Sequence, residues 1–279
     1  MMYPANEHAI GILDSGVGGL TVAKEVMRQL PRETIYYFGD TKRCPYGPRS
    51  EQEVRQFTFE IVHFLLQFPL KAILIACNTA TAAALEQVRQ QLEIPVLGVI
   101  EPGARAAIKA TKQNSVGVIG TEGTIQSGAY EKTLKRIHPM LNVSSLACPA
   151  FVPLVESGQR QTAYARQVIA ESLKPFQSKK MDTLILGCTH YPLLAGLIAG
   201  VMGKDVAIIS SAEETAAELS TILQHQHLLA RREKPLHRFF TTGSADSFKK
   251  IAQDWLGQAI RVETAELEPV TPAYRVKVF

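Results

Sequence analysis

The sequence predicts an α/β protein made of two similar α/β domains with mainly parallel sheets, related by a pseudo-twofold. Three observations predict it. Short apolar runs alternate with amphipathic segments from end to end, the pattern of strand–helix–strand units. Several of those runs are apolar at consecutive positions, as strands covered on both faces are. The chain also resembles itself: "AIGILDSGVGGL" (9–20) overlays "SVGVIGTEGTIQ" (115–126), and "AILIACNTA" (72–80) overlays "TLILGCTHY" (183–191).

In order, strands are expected at 9–13, 34–38, 72–76, 95–99, 115–119, 143–147, 183–187, 206–209 and 237–241. Among the segments between them, 50–67 has the clearest helical stripe, formed by Val54, Phe57, Ile61, Phe64 and Leu65. Ser50 with Glu53 reads as a capping box at its start, and Ser211 with Glu214 as a second one further on. The offset between the matched glycines is 117 − 11 = 106, and between the matched cysteines 188 − 77 = 111. Similar offsets in the same order argue for two related halves.

At 279 residues the chain has room for one large domain or two ordinary ones, and 46% hydrophobic with 20% charged residues is a globular composition. No apolar run approaches the roughly 20 residues that span a bilayer. The start "MMYPANEHAIGIL" lacks the basic region and long apolar segment of a secretory signal. The expected address is the cytoplasm, with no membrane partner. The net charge of +4 comes with scattered basic pairs, Lys179-Lys180, Arg231-Arg232 and Lys249-Lys250, without aromatic interleaving. These read as solvated faces, so nucleic acid is not the expected partner.

There are four cysteines, Cys44, Cys77, Cys148 and Cys188, with no CxxC pair that would point to zinc. In a reducing compartment they are expected as free thiols. Cys148 reads as a small buried hydrophobe. Cys77 and Cys188 are different, because each ends an apolar run and is followed by Asn or Thr and a helix-like segment. Ligands of α/β sheets bind beyond the carboxyl ends of strands. If the halves pair about a pseudo-twofold axis, the two cysteines approach one site, in the cleft between the domains, from opposite sides.

Such a pair of thiols has three uses. Metal binding needs more ligands than His190 alone supplies. Covalent catalysis needs one cysteine and a base, and leaves the second cysteine unexplained. Proton transfer at carbon uses both, one thiolate removing a proton from one face of a stereocentre and the opposite thiol returning one to the other. Cysteine's reference pKa, about 8.5, suits that task. His190 is a candidate tuner or relay for Cys188, and Asp14 for Cys77. Each has an alternative role, Asp14 capping the helix that begins near Gly18 and His190 making a strand-end hydrogen bond. "DSGVGGL" (14–20) is a Gly-rich turn with backbone N–H groups for an anion, and is neither a P-loop nor a GxGxxG fingerprint. Asn78, Thr79, Thr121 and Thr189 are neutral donors at strand ends or helix N-caps, and one residue can be both.

The segments "IGILDSGVGGLTV" (10–22), "YFGDTKRCPYGPRS" (37–50), "ACNTATA" (76–82), "GVIEPGA" (98–104), "GVIGTEGT" (117–124), "PLVESG" (153–158) and "LGCTHYPLL" (186–194) closely resemble the successive signatures of bacterial glutamate racemases, in family order. The resemblance implies cofactor-independent interconversion of L- and D-glutamate, supplying D-glutamate for peptidoglycan. It implies Cys77 and Cys188 as the acid/base pair, with Asp14 and His190 as polar neighbours, Glu156 near His190 and Asp40 as a second carboxylate. Ser15, Tyr46, Gly47, Asn78, Thr79, Thr121, Thr189 and His190 would line the substrate pocket. It further implies a first domain from 1–98 plus 210–279, a second from 99–209, no metal, and a homodimer.

Three rivals are weighed against this reading. A related two-cysteine racemase of aspartate or another small acid is disfavoured by the full match of "DSGVGG" and "CPYGPRS". A single-cysteine decarboxylase of the same superfamily is disfavoured by the presence of both cysteine motifs. A non-catalytic glutamate- or DNA-binding protein is separated by mutating Cys77: ligand binding can survive that change, and racemisation should not.

Overall fold

A computed structural model describes residues 4–270. Residues 1–3 and 271–279, which the sequence reading put in the first domain, lie outside the described residues. The chain separates into two compact units, one running to Val99 and resuming at Ala212, the other spanning Ile100–Ser211.

The first unit opens with β1 (Ala9–Asp14), α1 (Leu20–Gln29), β2 (Ile35–Gly39), α2 (Glu51–Leu65), β3 (Leu70–Ile75), α3 (Asn78–Gln91) and β4 (Val96–Gly98). The second contains α4 (Ile100–Ala110), β5 (Ser115–Gly120), α5 (Glu122–Gln126), α6 (Ala129–Ile137), β6 (Asn142–Ala147), α7 (Phe151–Glu156), α8 (Ala163–Gln177), β7 (Thr183–Gly187), α9 (Ala195–Met202) and β8 (Ala207–Ser210). From α10 (Ser211–His225) the chain returns to the first unit with β9 (Arg238–Thr241), α11 (Ala245–Leu256) and β10 (Val262–Thr264).

Among the described residues the strands form two all-parallel sheets, in the order β10-β9-β2-β1-β3-β4 and β6-β5-β7-β8. The second order repeats the β2-β1-β3-β4 core of the first. The repeat extends to register. Gly11 pairs with Ile73 and Leu13 with Ile75. In the other sheet Gly117 pairs with Leu184 and Ile119 with Leu186. The sequence offsets give the same pairs, since 11 + 106 = 117 and 73 + 111 = 184. Sequence self-similarity therefore reflects two copies of one βαβ topology.

Burial explains the apolar runs. Every residue of β1, β3 and β7 is buried, and a fully buried aliphatic side chain contributes about 1.5–3 kcal/mol. Helix α2 begins where the capping box predicts: Ser50 accepts the Glu53 N–H at 3.3 Å, and the Glu53 carboxylate accepts the Ser50 N–H at 3.0 Å. Its Val54, Ile61 and Leu65 are fully buried, with Phe57 and Phe64 packed at the rim of the same core.

Four local expectations change. Strand β10 was not foreseen, because three residues at a sheet edge, none of them fully buried, carry little pattern. Ser211 is already the first residue of α10, and its side chain hydrogen-bonds the buried Tyr130 hydroxyl. Asp14 does not cap α1, whose N-cap is Gly19 without a side-chain bond. Cys188 is followed by a turn and a 3-10 segment, Tyr191–Leu194, in which Pro192 delays the α-helix to Ala195.

Candidate active site

A parallel sheet of order 2-1-3-4 has its switch point between the first and third strands, and ligands bind at the carboxyl ends there. Asp14 ends β1, Ser15 follows it, and Cys77 stands two residues beyond β3. Across that crevice the Cys77 sulfur lies 3.7 Å from the Ser15 hydroxyl oxygen. In the second unit Thr121 follows β5 and Cys188 follows β7. The offsets carry Ser15 onto Thr121 (15 + 106) and Cys77 onto Cys188 (77 + 111), so each sheet presents a hydroxyl and a thiol at its own switch point.

The surroundings of the thiols differ. Cys77 is the N-cap of the 14-residue α3, and its sulfur accepts the Ala80 N–H at 3.5 Å. A helix N-terminus favours negative charge on such a sulfur. Asn78 and Thr79 form the first turn of that helix, both buried. On the other side of the crevice the fully buried Asp14 accepts the Gly16 N–H at 3.0 Å, so one donor of the Gly-rich turn points inward. The turn is pressed against its neighbours: a Cβ at Gly19 would stand 2.5 Å from the Asp14 Cβ, and one at Gly39 would collide with the Gly16 carbonyl.

Two tyrosines flank Cys77. Tyr37 donates to the Gly16 carbonyl at 2.8 Å. Burial, then the charges of Asp14 and Cys77, hold its phenol well above the ordinary value. Tyr46 donates to Asp40 at 2.5 Å, and burial, Asp40 and, more weakly, Cys77 raise it likewise. Both remain neutral donors. Asp40 is itself fully buried and engaged: besides Tyr46 it accepts Arg43 Nε at 2.6 Å and the Thr242 hydroxyl at 2.7 Å. Arg43 also pairs with Glu60 and lies 4.0 Å over the Phe57 ring. Asp40 thus anchors the Tyr46 hydroxyl, and Gly47 is buried next to that tyrosine in sequence.

At Cys188 the neighbour is an imidazole. His190 Nδ1 is 3.9 Å from the sulfur, and Nε2 is 3.1 Å from a Glu156 carboxylate oxygen at the end of α7. With Glu156 accepting the Nε2 proton, Nδ1 is left to accept from the thiol. His190 and Thr189 are buried, and the Glu156 side chain is about one-third exposed, so the dyad reaches solvent through the carboxylate. Thr121 caps α5, accepting the Thr124 N–H at 3.3 Å. Two buried tyrosines, Tyr130 and Tyr191, stand near Cys188; burial first, and its charge second, raise both phenols. Cys148 is pushed up to about 12 by burial and stays a thiol.

Within the first unit the described structure therefore gathers Asp14, Ser15, Asn78 and Thr79 around Cys77, with Asp40, Tyr46 and Gly47 on an adjoining loop. Within the second it gathers Thr121, Glu156, Thr189 and His190 around Cys188. Tyr37, Arg43, Glu60, Thr242, Tyr130 and Tyr191 were not singled out by the sequence reading. Tyr37 and Arg43 fall inside the quoted segment 37–50 and Tyr191 inside the quoted segment 186–194, which were the available signals. Among the described residues no group of three or more His, Cys, Asp or Glu side chains is arranged to hold a metal ion.

Known proteins resemble this chain along most of its length. The family model for Asp/Glu/Hydantoin racemase matches residues 10–219. The glutamate racemase of Listeria innocua serovar 6a is 57% identical over 251 residues, covering 90% of this chain and 94% of that protein. The crystal structure of glutamate racemase isoform RacE1 from Bacillus anthracis superposes with a TM-score of 0.93 at 58% identity, covering 95% of this chain and 100% of that one. That of glutamate racemase from Francisella tularensis, in complex with D-glutamate, gives 0.87 at 35% identity over 96% and 99%.

Proposed function

The chain belongs to the Asp/Glu/Hydantoin racemase family and, within it, to the glutamate racemases; from that premise we propose that it interconverts L- and D-glutamate by two-base proton transfer between Cys77, Cys188 and the α carbon. The Cys77 thiolate, or that of Cys188, takes the α proton and leaves an electron pair on carbon. The other cysteine, as thiol, delivers its proton to the opposite face. The product is the mirror image, and the enzyme is left with the two protonation states exchanged. No redox partner or leaving group is required.

The observation that carries this reading is the register-matched repeat, which places a cysteine and a hydroxyl residue just after equivalent strands of each sheet, Cys77 with Ser15 and Cys188 with Thr121. A reaction whose substrate and product are mirror images needs such equivalence in its acid and base. The differences between the half-sites fit the same account. Cys77 has a helix N-terminus to favour its thiolate. Cys188 has the His190–Glu156 dyad to exchange protons with it. Ser15, Asn78, Thr79, Thr121, Thr189 and the Tyr46–Gly47 loop supply neutral donors for the substrate's carboxylates, and their hydroxyl and amide oxygens can accept from its ammonium group. Asp40 and Glu156 hold Tyr46 and His190 in place.

D-Glutamate made in this way would serve peptidoglycan synthesis in the cytoplasm, by a homodimer. No described helix is long and apolar enough to cross a membrane. The test is to incubate the purified enzyme with L-glutamate, and separately with L-aspartate, and to resolve the products on a chiral column. D-Glutamate should form in the first reaction and D-aspartate should not form in the second. Racemisation of aspartate at a comparable rate would overturn the substrate assignment.

A further inference from the structure

The first unit holds a second concave site at the other end of its sheet. A cleft of about 930 Å³ lies among the turn before β1, the turn between α1 and β2, and the loop between α10 and β9. These segments meet at the amino ends of the strands, whereas Cys77 stands at the carboxyl end. Six residues of β1 separate the two ends, roughly 20 Å at about 3.3 Å per residue.

The cleft is held open by a costly internal structure. Lys71, in β3, is almost completely buried and forms an ion pair with the equally buried Glu33. Its ammonium also donates to the Asn6 carbonyl at 2.7 Å and the Leu228 carbonyl at 2.8 Å, while Glu33 accepts the Ala230 N–H at 2.8 Å. One buried cation thereby ties all three walls together. A buried ion pair is weak as a source of stability and better understood as fixing one arrangement. On the rim Arg232 holds Glu7 at 2.6 Å and reaches Thr34 at 3.1 Å.

The charges do not cancel. Glu7 and Glu33 line the cleft, and each is neutralised by its own base, Arg232 and Lys71. Arg32 and Arg231 line it too, both exposed, and among the described residues no ion pair or side-chain hydrogen bond engages either guanidinium. Two unengaged guanidinium forks therefore stand over a surface that is apolar at Leu30, Pro31 and Leu229. Guanidinium forks match phosphate oxygens in pairs, and the volume, near the upper end for small-molecule sites, leaves room for more than the phosphate.

We propose that this cleft binds an organic phosphate, with phosphoryl oxygens between Arg32 and Arg231 and the apolar body against Leu30, Pro31 and Leu229. The site is separate from the cysteines, and the inference does not depend on the reaction they perform.

The test is calorimetric titration with ATP as probe, with saturating glutamate present to fill the cysteine sites. Adenosine and succinate serve as the phosphate-free and dicarboxylate arms. ATP should bind the full-length protein, adenosine and succinate should bind at least tenfold more weakly, and the Arg32→Gln/Arg231→Gln variant should lose at least tenfold in ATP affinity. Racemisation without ATP should be unchanged in that variant, which also reports that it is folded. Equal ATP affinity in the variant, succinate binding as tightly as ATP, or no binding at millimolar ATP would each overturn the proposal.

Discussion

His190 places its Nδ1 3.9 Å from the sulfur of Cys188. The imidazole is buried and its far nitrogen is fixed by Glu156 at 3.1 Å, so the ring has one orientation and one favoured tautomer. Cys77 has no imidazole at the equivalent place, since 190 − 111 gives Thr79. On the proposed two-base mechanism the two directions of the reaction would therefore depend on different helpers.

Removing the carboxylate should affect them unequally. Glu156→Ala should lower kcat roughly tenfold, about 1.4 kcal/mol, in the direction where Cys188 is the base. Glu156→Gln, which still accepts from Nε2, should recover most of that loss. Mirror-image substrates have equal free energies, so the ratio of the two kcat/KM values stays near one and the asymmetry appears in kcat, offset by KM. Steady-state kinetics from both enantiomers check this. Equal kcat changes in the two directions would reduce Glu156 to a packing role.

Each cysteine should be indispensable in its own way. Cys77→Ala and Cys188→Ala should each reduce racemisation by about 10²–10⁴-fold, the usual contribution of a positioned acid or base, while the fold persists. The remaining thiol faces one side of the substrate, so each variant should still exchange the α proton of one enantiomer with solvent and ignore the other. NMR of both enantiomers in D₂O reads this out. Equal residual racemisation from both enantiomers in either variant would contradict two-base catalysis.

Tyr46→Phe removes one of three hydrogen bonds to the fully buried Asp40. The expected loss is about 1.5–3 kcal/mol of stability, the range for a bond to a charged group. Arg43 and Thr242 remain, so the variant should fold. Urea denaturation of Tyr46→Phe, Asp40→Asn and the double variant should show coupling between the two sites. Additive effects would mean that the short contact contributes nothing.

His237 gives the stability a pH dependence. Its Nδ1 accepts the Ile35 N–H at 3.2 Å, and burial lowers its pKa from 6.5. The unfolded chain then binds more protons than the folded one just below pH 6.5, so this contribution is complete above that pH and is lost as pH falls through the folded pKa. His237→Gln should flatten the stability profile in that window, measured by urea denaturation between pH 5 and 7.5. An unchanged slope would remove His237 from the account.

Much of this was legible in the sequence because the repeat is carried by apolar strands and strand-end residues. Nine strands, the α2 capping box and the equivalence of Cys77 and Cys188 all follow from local pattern and offset. Contacts between segments distant in sequence left no such trace. The Arg43–Glu60 pair, the Thr242 bond to Asp40 and the Lys71–Glu33 pair depend on which chain segments meet after folding. Lys71 did leave a hint, a lysine inside the otherwise apolar "LKAILI". Pro192 foretold the late start of α9, but the helix-like composition after Cys188 masked it.

The most direct test of two opposed thiols is the fate of the α hydrogen in the first turnovers. L-Glutamate is incubated with the enzyme in D₂O, the reaction is stopped below about 5% conversion, and both enantiomers are separated and analysed by mass spectrometry. If, as proposed, one cysteine removes the proton and the other supplies a solvent-derived one, the D-glutamate should be fully deuterated at Cα and the remaining L-glutamate almost unlabelled, with the mirror result from D-glutamate. Product that retains the substrate's own hydrogen, or recovered substrate labelled as heavily as the product, would contradict it.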